Sequence, residues 1–397
     1  MRNIINEILL VLVFFLFGTV ITFYLSYLGW LSRHYENRRP RNELGEYSYP
    51  SVSLIVPVYN EAQIIDKKLK NIEELIYPEG KFEAIFVDGC STDETCNLIM
   101  DYSLKSKKSI RLIRSEKRNG YTQGMIEGIS NSNNEIIVCT DAASYYYPDT
   151  IQQLVKRFSE PTIGAVSGRE IVCGDKKELG PQLERSYRFF YDFMRTAETE
   201  IDSTPDSKGE ILAVRRVICE SLFEKLRLSP NASFDSCVPY QAKLMGFRSV
   251  YTREAKYYEH APSSFSDRTT QQIRRATLLI GAMFLFKNVL LNRKCGRFGM
   301  QIFPVHFIMV CVLPSVFLSG IASLVVLTVL NPLSVLPFWI IVALVCLLKS
   351  NRVFMVGFIQ SQFALFVALF RLARHDKQGL FITSIPSTRT ESAVEKI

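Results

Sequence analysis

The sequence predicts an α/β protein in which a parallel sheet lies between membrane-spanning helices. From about residue 50 to residue 265, short β-branched runs alternate with helical patterns, as in a parallel sheet covered by helices. Uncharged stretches lie on both sides of this region, at 8–32 and 298–348. Both are long enough as helices to cross about 30 Å of hydrocarbon. We therefore expect one water-exposed α/β domain between two membrane parts.

The amino-terminal stretch predicts a transmembrane helix over residues 1–32. A signal peptide is the alternative, but the stretch has no small-residue cleavage site and exceeds the usual apolar length of roughly 7 to 15 residues. The segment 33–49 forms a basic linker with four arginines, at 33, 38, 39 and 41. Because positive residues favour the cytoplasmic side, the amino terminus is expected outside and the α/β domain in the cytosol.

The first half of the α/β domain, which we place at residues 50–265, has the clearest strand and helix patterns. Strands are predicted at 51–57, 82–88 and 110–113, with a fourth that ends at Asp141, and helices at 61–76, from Asp93 and from Tyr121. Ligands of such doubly wound sheets bind beyond the carboxyl ends of the strands. Four polar residues are therefore expected to face one crevice: Tyr59, Asn60, Asp88 and Asp141.

The chain after the α/β domain is predicted to return to the membrane. Residues 266–297 include an apolar run too short to span, at 277–291, which predicts an interfacial amphipathic helix. Residues 298–371 are predicted as transmembrane helices, with a break at 331–332 that divides 298–348 into two helices of spanning length. The run 353–370 is short for a full crossing and predicts a tilted, re-entrant or interfacial helix. Residues 372–397 are predicted as a tail.

Composition narrows the range of partners. The nine cysteines form no C-x-x-C pair and no metal-ligand spacing, which indicates reduced thiols used as small core residues. The formal charge of +8 suits a domain that lies against anionic lipid or handles phosphates. The basic residues are not interleaved with aromatic ones as in a nucleic-acid platform. Membrane lipid is therefore expected as a partner, and nucleic acid is not.

Two strand-to-helix turns carry polar residues with a functional and a structural interpretation. In the first, at 57–61, Asn60 and Glu61 could contact a nucleotide, or Asn60 could cap the helix. In the second, at 87–93, Asp88 could accept a hydrogen bond from a base or ribose hydroxyl, whereas Thr92 and Asp93 could be helix caps. Neither turn alone decides between the two.

Asp141 raises a sharper question. It ends the apolar run 136–140 as a metal-binding acid ends a buried strand, but Ala143 occupies the place of the second acid of an Asp-x-Asp pair. The segment is either a metal site with one acid absent or a simple turn. Two acids in one crevice, Asp88 and Asp141, are costly without a nearby cation. The pair therefore favours the metal interpretation.

The order of these and later motifs resembles the inverting family 2 glycosyltransferases of GT-A fold, over roughly residues 50–280. With membrane helices on both flanks, the chain is most similar to the membrane-embedded branch that includes synthases of cellulose, hyaluronan and poly-N-acetylglucosamine. The motifs are PVYNE at 57–61, VDGCSTD at 87–93, TDAA at 140–143 with YPD at 147–149, SKGEILAVRR at 207–216, FDS at 234–236 with LMGF at 244–247, and QQIRR at 271–275.

The resemblance implies a role for each matching residue. Asp141 would hold a divalent cation, Mg²⁺ or Mn²⁺, and Asp235 would be the base that takes the proton from the acceptor hydroxyl. Gln272 and Arg275 match the Q-x-x-R-W motif, in which the arginine would bind the diphosphate. The donor and its nucleotide would be bound by Pro57, Tyr59, Asn60, Glu61, Asp88 and Asp141. Two structural alternatives stay open: Asp235 as a helix N-cap, and Arg274 with Arg275 as lipid-facing anchors.

Four positions depart from the family pattern. Ala143 replaces the second metal-site acid, which predicts weaker cation binding with help from donor oxygens, water and the Ser144 hydroxyl. Phe234 replaces the acid that usually precedes the base, and Tyr121 replaces a lysine. Ala276 replaces the motif's tryptophan, which puts processive polymer synthesis in doubt more than transfer itself.

The sequence thus predicts a multi-pass protein of the cell membrane with a cytosolic GT-A domain. Its expected activity moves a sugar, with inversion, from a UDP-linked donor to a lipid-linked or growing polysaccharide acceptor, polyprenyl-linked or glycan. One alternative is a catalytically inactive relative that binds nucleotide-sugar or scaffolds a synthase complex, suggested by Ala143 and Ala276. A nucleotidyltransferase is a weaker alternative, because it gives no role to Asp235, Gln272 or Arg275.

Overall fold

A computed structural model describes residues 2–36, 49–118, 120–173, 178–260 and 264–374 of the chain. Three of the four linker arginines, at 38, 39 and 41, lie outside the described residues, as does the predicted tail from residue 375 onward.

The α/β domain is built on one eight-stranded sheet. Its order is β3-β2-β1-β4-β7-β6-β8-β5. The strands are β1 Val52–Val58, β2 Phe82–Asp88, β3 Ser109–Arg114, β4 Ile136–Cys139, β5 Tyr145–Tyr146, β6 Ile163–Cys173, β7 Leu212–Arg215 and β8 Arg248–His260. The four strands β3, β2, β1 and β4 are parallel, as predicted. The second half is not all parallel, because β7 pairs antiparallel with both β4 and β6, so the sheet is mixed.

The helices complete the architecture. They are α1 Arg2–Glu36, α2 Ile65–Glu73, α3 Thr95–Ser103, α4 Gly120–Ser130, α5 Thr150–Val155, α6 Leu179–Ile201, α7 Arg216–Leu228, α8 Phe234–Leu244, α9 Phe265–Leu285, α10 Phe303–Cys311, α11 Leu313–Leu330, α12 Pro332–Val345 and α13 Lys349–Ala373. The central strand β4 is wholly buried because helices cover both faces of the sheet. Gly128 lets α4 approach β1 closely, since a Cβ there would lie 2.5 Å from the Ile55 side chain.

In the part of the chain that the structure describes, three helical segments are long and apolar enough to cross a membrane: Ile4–Glu36, Phe298–Leu330 and Lys349–Ala373. The predicted lengths of the last two C-terminal helices are therefore reversed. Pro332–Val345 has only 14 residues, roughly 21 Å of helix, whereas Lys349–Ala373 has 25. The prediction counted only the uncharged residues 353–370 and therefore underestimated the length of the last helix. Lys349 and Arg352 are part of this helix, because long basic side chains at a helix end can reach the interface.

Helix α9 joins the sheet domain to the candidate spans. It begins at Phe265 and ends at Leu285. The apolar run 277–291, which was predicted as a separate interfacial helix, therefore consists of the second half of α9 and a short helical turn at Lys287–Val289. Ala276 and Ile280 on α9 pack against Ala368 on α13. Earlier on both helices, Gln360 of α13 donates to the Thr269 hydroxyl of α9 at 2.6 Å. The two helices therefore pack side by side in the same direction.

Gly281 sets the distance between α9 and the loop before α8. A Cβ at this position would lie 1.8 Å from the Asn231 carbonyl oxygen, and a backbone atom cannot rotate away as a side chain can. We expect Gly281→Ala to destabilise the protein by about 1–3 kcal/mol through overpacking. Thermal unfolding in detergent measures this, with Gly29→Ala as control, because nothing lies within 4 Å of a Cβ at Gly29. An unchanged melting temperature for Gly281→Ala would contradict the packing.

Candidate active site

The carboxyl ends of β1, β2 and β4 form the predicted crevice. Val58 at the end of β1 pairs with Asp88 at the end of β2. On the other side, Ile55 pairs with Cys139, and continuing this register by two residues places Asp141 beside Pro57. The two acids therefore flank β1, separated by two strand spacings, or roughly 10 Å.

The loops after β1 and β2 are fastened to each other. Asn60 has a φ of 53°, a left-handed conformation that asparagine tolerates. Its backbone N–H donates to Ser91 Oγ at 2.9 Å, and its Oδ1 accepts from the Thr92 N–H at 2.8 Å. Helix α2 begins only at Ile65, so the interpretation of Asn60 as the cap of that helix is wrong. Its side chain instead shapes the rim of the crevice.

Asp88 and Tyr59 lie in this rim. The Asp88 carboxylate is buried and accepts from the Ser91 N–H at 3.1 Å. The Tyr59 ring is covered on one face by the Arg118 guanidinium, whose carbon lies 3.9 Å from the ring centroid. The Glu61 N–H donates to the Thr95 hydroxyl at 2.8 Å. Asp93 accepts from the Thr95 N–H at 3.1 Å, but the N-cap of α3 is Glu94, so the interpretation of Thr92 and Asp93 as helix caps is wrong.

Asp141 lies among charged groups. Burial and the nearby Glu210 carboxylate raise the pKa of Asp141 to about 7, against the opposing charges of Arg275 and Arg274. Behind it, the fully buried Lys68 ammonium donates to Thr140 Oγ1 at 2.9 Å and to the Ser144 carbonyl at 2.5 Å. Burial also lowers the pKa of Lys68 to about 7. No sequence pattern marks Lys68 as a site residue, because it lies in the middle of an amphipathic helix.

Asp235 lies in the first turn of α8. The N-cap of that helix is Ser233, so the alternative in which Asp235 is the N-cap is wrong. Its Oδ2 accepts from the Gly209 N–H at 3.2 Å. Burial raises the pKa of Asp235, and the Glu210 carboxylate adds to this. A carboxylate with a raised pKa is a stronger base for an acceptor hydroxyl.

Gln272 and Arg275 occupy α9 but face different partners. Arg275 Nη2 lies 2.7 Å from Glu210 Oε1, so the alternative of a lipid-facing anchor is wrong for Arg275. Gln272, in the amide orientation that its surroundings favour, accepts from Arg268 at 2.9 and 3.0 Å. Arg268 is fully buried and also pairs with Glu184 at 3.1 Å and with Gln360 of α13. Gln272 therefore belongs to a buried hydrogen-bond network that reaches the candidate membrane span α13.

Three of the four departures from the family pattern, at Tyr121, Phe234 and Ala276, have distinct surroundings. Tyr121 is near Asp141, Asp235 and Glu210, and its hydroxyl donates to the Gly209 carbonyl at 3.3 Å. Phe234 is fully buried in the core. Ala276 packs against α13, so on this chain a tryptophan at that position would meet a helix. Sequence reasoning named Tyr121 only as a departure from the family pattern, and it gave no role to Glu210, which lies within the motif at 207–216.

The residues around Asp141 fit a divalent cation only in company with a bound donor. Among the described residues no set of three His, Cys, Asp or Glu side chains could hold a metal ion. Asp141 nevertheless offers a partly exposed carboxylate near those of Glu210 and Asp235, and among the described residues the buried Ser144 Oγ has no hydrogen-bond partner. Donor phosphate oxygens and water would have to complete the coordination, as is common for Mg²⁺.

Comparisons with known proteins bear on this geometry. Residues 53–223 match the family model described as Glycosyl transferase family 2. The chain is 30% identical over 189 residues to a beta-monoglucosyldiacylglycerol synthase of Nostoc sp., a match that covers 46% of this chain and 40% of that protein. It is 22% identical over 233 residues to a poly-beta-1,6-N-acetyl-D-glucosamine synthase of Staphylococcus epidermidis, covering 57% and 53%. The matched part of the chain thus spans about half of the length of each of these relatives, 40% of the first and 53% of the second.

A solved structure supports the fold. The chain is similar to the mannosyltransferase PcManGT from Pyrobaculum calidifontis, whose structure holds GDP-Man and Mn²⁺, with a TM-score of 0.78 and 24% identity. The match covers 93% of this chain and 100% of that one. The predicted GT-A fold is confirmed, although its sheet is mixed and not parallel throughout.

Proposed function

We propose that this chain, as a family 2 glycosyltransferase that uses a nucleotide-sugar donor, takes its sugar from a UDP-linked donor. The acceptor is a lipid-linked or growing glycan at the cytosolic membrane face. One observation carries the proposal. The charges of Asp141, Asp235 and the Arg275–Glu210 ion pair lie close enough to interact with one another. The helix that bears Arg275, α9, packs on the candidate membrane span α13.

The side chains divide the chemistry between them. Asp235 takes the proton of the acceptor hydroxyl as that oxygen attacks the anomeric carbon, and a single displacement by one base inverts the configuration there. Arg275 binds the departing diphosphate. A divalent cation held at Asp141 would neutralise charge on the same leaving group. Asp88 and the Tyr59–Arg118 pair hold the nucleotide at the far side of β1.

The membrane contact supports an acceptor that stays at the bilayer. Arg268, one helical turn before Gln272, is bonded to Gln360 of α13, so the site and the candidate span share one hydrogen-bond network. The names of the two relatives, a glucosyldiacylglycerol synthase and a poly-N-acetylglucosamine synthase, indicate a lipid and a glycan product. Either acceptor would meet the site where α9 meets α13.

Release of nucleoside diphosphate by protein purified in detergent tests the activity. A panel of UDP- and GDP-sugars is assayed with and without added polyprenyl phosphate. We expect release from a UDP-sugar, stimulated by the acceptor. Binding of a UDP-sugar without release would favour the inactive-relative alternative. Release of pyrophosphate from a nucleoside triphosphate supplied together with a sugar phosphate, without release of diphosphate from the nucleotide-sugars, would favour the nucleotidyltransferase.

The orientation of the chain is a separate prediction. With three crossings, residues 50–280 and the basic residues Arg371 and Arg374 lie in the cytosol, and Lys349 lies outside. This agrees with the positive-inside rule for the arginine-rich linker and revises the expectation that a hairpin returns the chain to the cytosol at Lys349. Protease protection in right-side-out vesicles should leave the α/β domain intact and cleave a site inserted at Asn331. Digestion of the domain from outside would overturn the orientation and with it the cytosolic donor.

A further inference from the structure

The register of β4 and β7 places two acids opposite each other. These strands pair antiparallel, with Ile136 opposite Arg215 and Cys139 opposite Leu212. Continuing the register by two residues puts Asp141 opposite Glu210. The Tyr146 hydroxyl lies between the two segments and within hydrogen-bond distance of both, 3.0 Å from the Cys139 carbonyl oxygen and 2.9 Å from the Glu210 carbonyl oxygen. Directly opposed residues of an antiparallel pair have Cβ atoms about 4.5–5.5 Å apart and share a face.

Such a pair is unfavourable without a positive charge, because like charges directly opposite each other repel. Glu210 is only 7% exposed, so water screens its charge poorly. In the free protein the positive charge comes from Arg275, whose Nη2 lies 2.7 Å from Glu210 Oε1. Arg275 therefore neutralises the acid that faces Asp141 across the strand pair.

We propose that Glu210 is the second acid of the cation site and replaces the acid absent at Ala143. Asp141 and Glu210 would together hold a divalent cation, and the donor diphosphate would supply further oxygen ligands. Arg275 then leaves Glu210 and pairs with the diphosphate. This inference rests on the proposed function for its donor, but not on the acceptor or the sugar.

The exchange explains why cation and donor should bind together. Without donor, Arg275 already neutralises Glu210, and a cation must compete with it. A diphosphate supplies both oxygens for the cation and a new partner for Arg275, so each ligand removes an obstacle to the other. Ser144, with its unpartnered buried hydroxyl, lies in the same turn as Asp141, since its N–H donates to the Asp141 carbonyl at 3.2 Å.

Binding of Mn²⁺ to the purified full chain, followed by electron paramagnetic resonance with and without UDP or GDP, tests the inference without any turnover. We expect the nucleotide to tighten Mn²⁺ binding, and Glu210→Gln to weaken nucleotide-supported binding by about tenfold or more. Glu135→Gln is the matched control. Glu135 pairs with Arg215 at 2.9 Å at the opposite end of the same two strands, and its loss should leave Mn²⁺ affinity within about twofold.

A rescue separates a ligand from a structural role. If Glu210 replaces the missing acid, the double variant Glu210→Gln with Ala143→Asp should recover most of the lost Mn²⁺ affinity. Glu210→Asp, which keeps the charge for Arg275, serves if the glutamine variant fails to fold, and it should bind Mn²⁺ more weakly because its carboxylate is retracted by one methylene. Unchanged affinity in a folded Glu210 variant, or no Mn²⁺ binding by the wild type with either nucleotide, would overturn the inference. Sugar transfer that persists in chelator would leave the proposed function standing in the latter case.

Discussion

Asp235→Asn is expected to abolish sugar transfer, with a loss of about 10²–10⁴-fold in kcat, because it removes the proton acceptor for the attacking hydroxyl. The change alters little volume, so donor binding should stay within a few fold. The Gly209 N–H can still donate to the oxygen of an asparagine. The loss should therefore appear in kcat rather than in the KM for the donor.

The measurement compares kcat with the donor affinity from calorimetry in the same detergent. Asp267→Asn is a matched control, because Asp267 is also an acid in the first turn of a helix but lies outside the electrostatic group around Asp141. It should retain nearly full activity. Turnover by Asp235→Asn comparable with the wild type would remove Asp235 from the mechanism.

Asp141→Ala is expected to remove activity at any metal concentration, since it removes the carboxylate on which the cation depends. Ala143→Asp, by contrast, should lower the concentration of Mg²⁺ or Mn²⁺ needed for half-maximal rate, because it restores a ligand beside Asp141. The two changes lie two residues apart in one turn. Opposite effects from them would separate metal binding from a general disturbance of the loop.

The alternative for this segment makes a different prediction. If it is only a turn, Asp141→Ala costs stability, about 1 kcal/mol for a lost cap-like hydrogen bond, and the folded fraction stays active. Thermal unfolding and rate measurements on the same sample distinguish the two. Full activity of intact wild-type protein in excess chelator would support the turn and refute the metal site.

Much of the fold could be predicted, because the spacing of apolar residues along a short segment indicates whether that segment is a buried strand or a helix. The runs at 82–88 and 51–57 are apolar almost throughout, as strands covered on both faces must be, and the structure places β2 at Phe82–Asp88 and β1 at Val52–Val58. The family motifs then identified the glycosyltransferase domain. The antiparallel pairing of β7 with β4 and β6 was not predictable, because the apolar pattern of a short buried strand does not indicate whether it runs parallel or antiparallel to its neighbours.

The sequence by itself determined the GT-A domain, the flanking apolar helices and the acids that end the strands, since each depends on residues close together along the chain. Only the tertiary structure decided which groups surround those acids. Glu210 lies 69 positions from Asp141 and Lys68 lies 73 positions before it, and no local period marks either. They meet at Asp141 because β7 is inserted antiparallel beside β4 and because α2 packs under the turn. A buried charge is identified by its partners in space, and those partners exist only once the chain has folded.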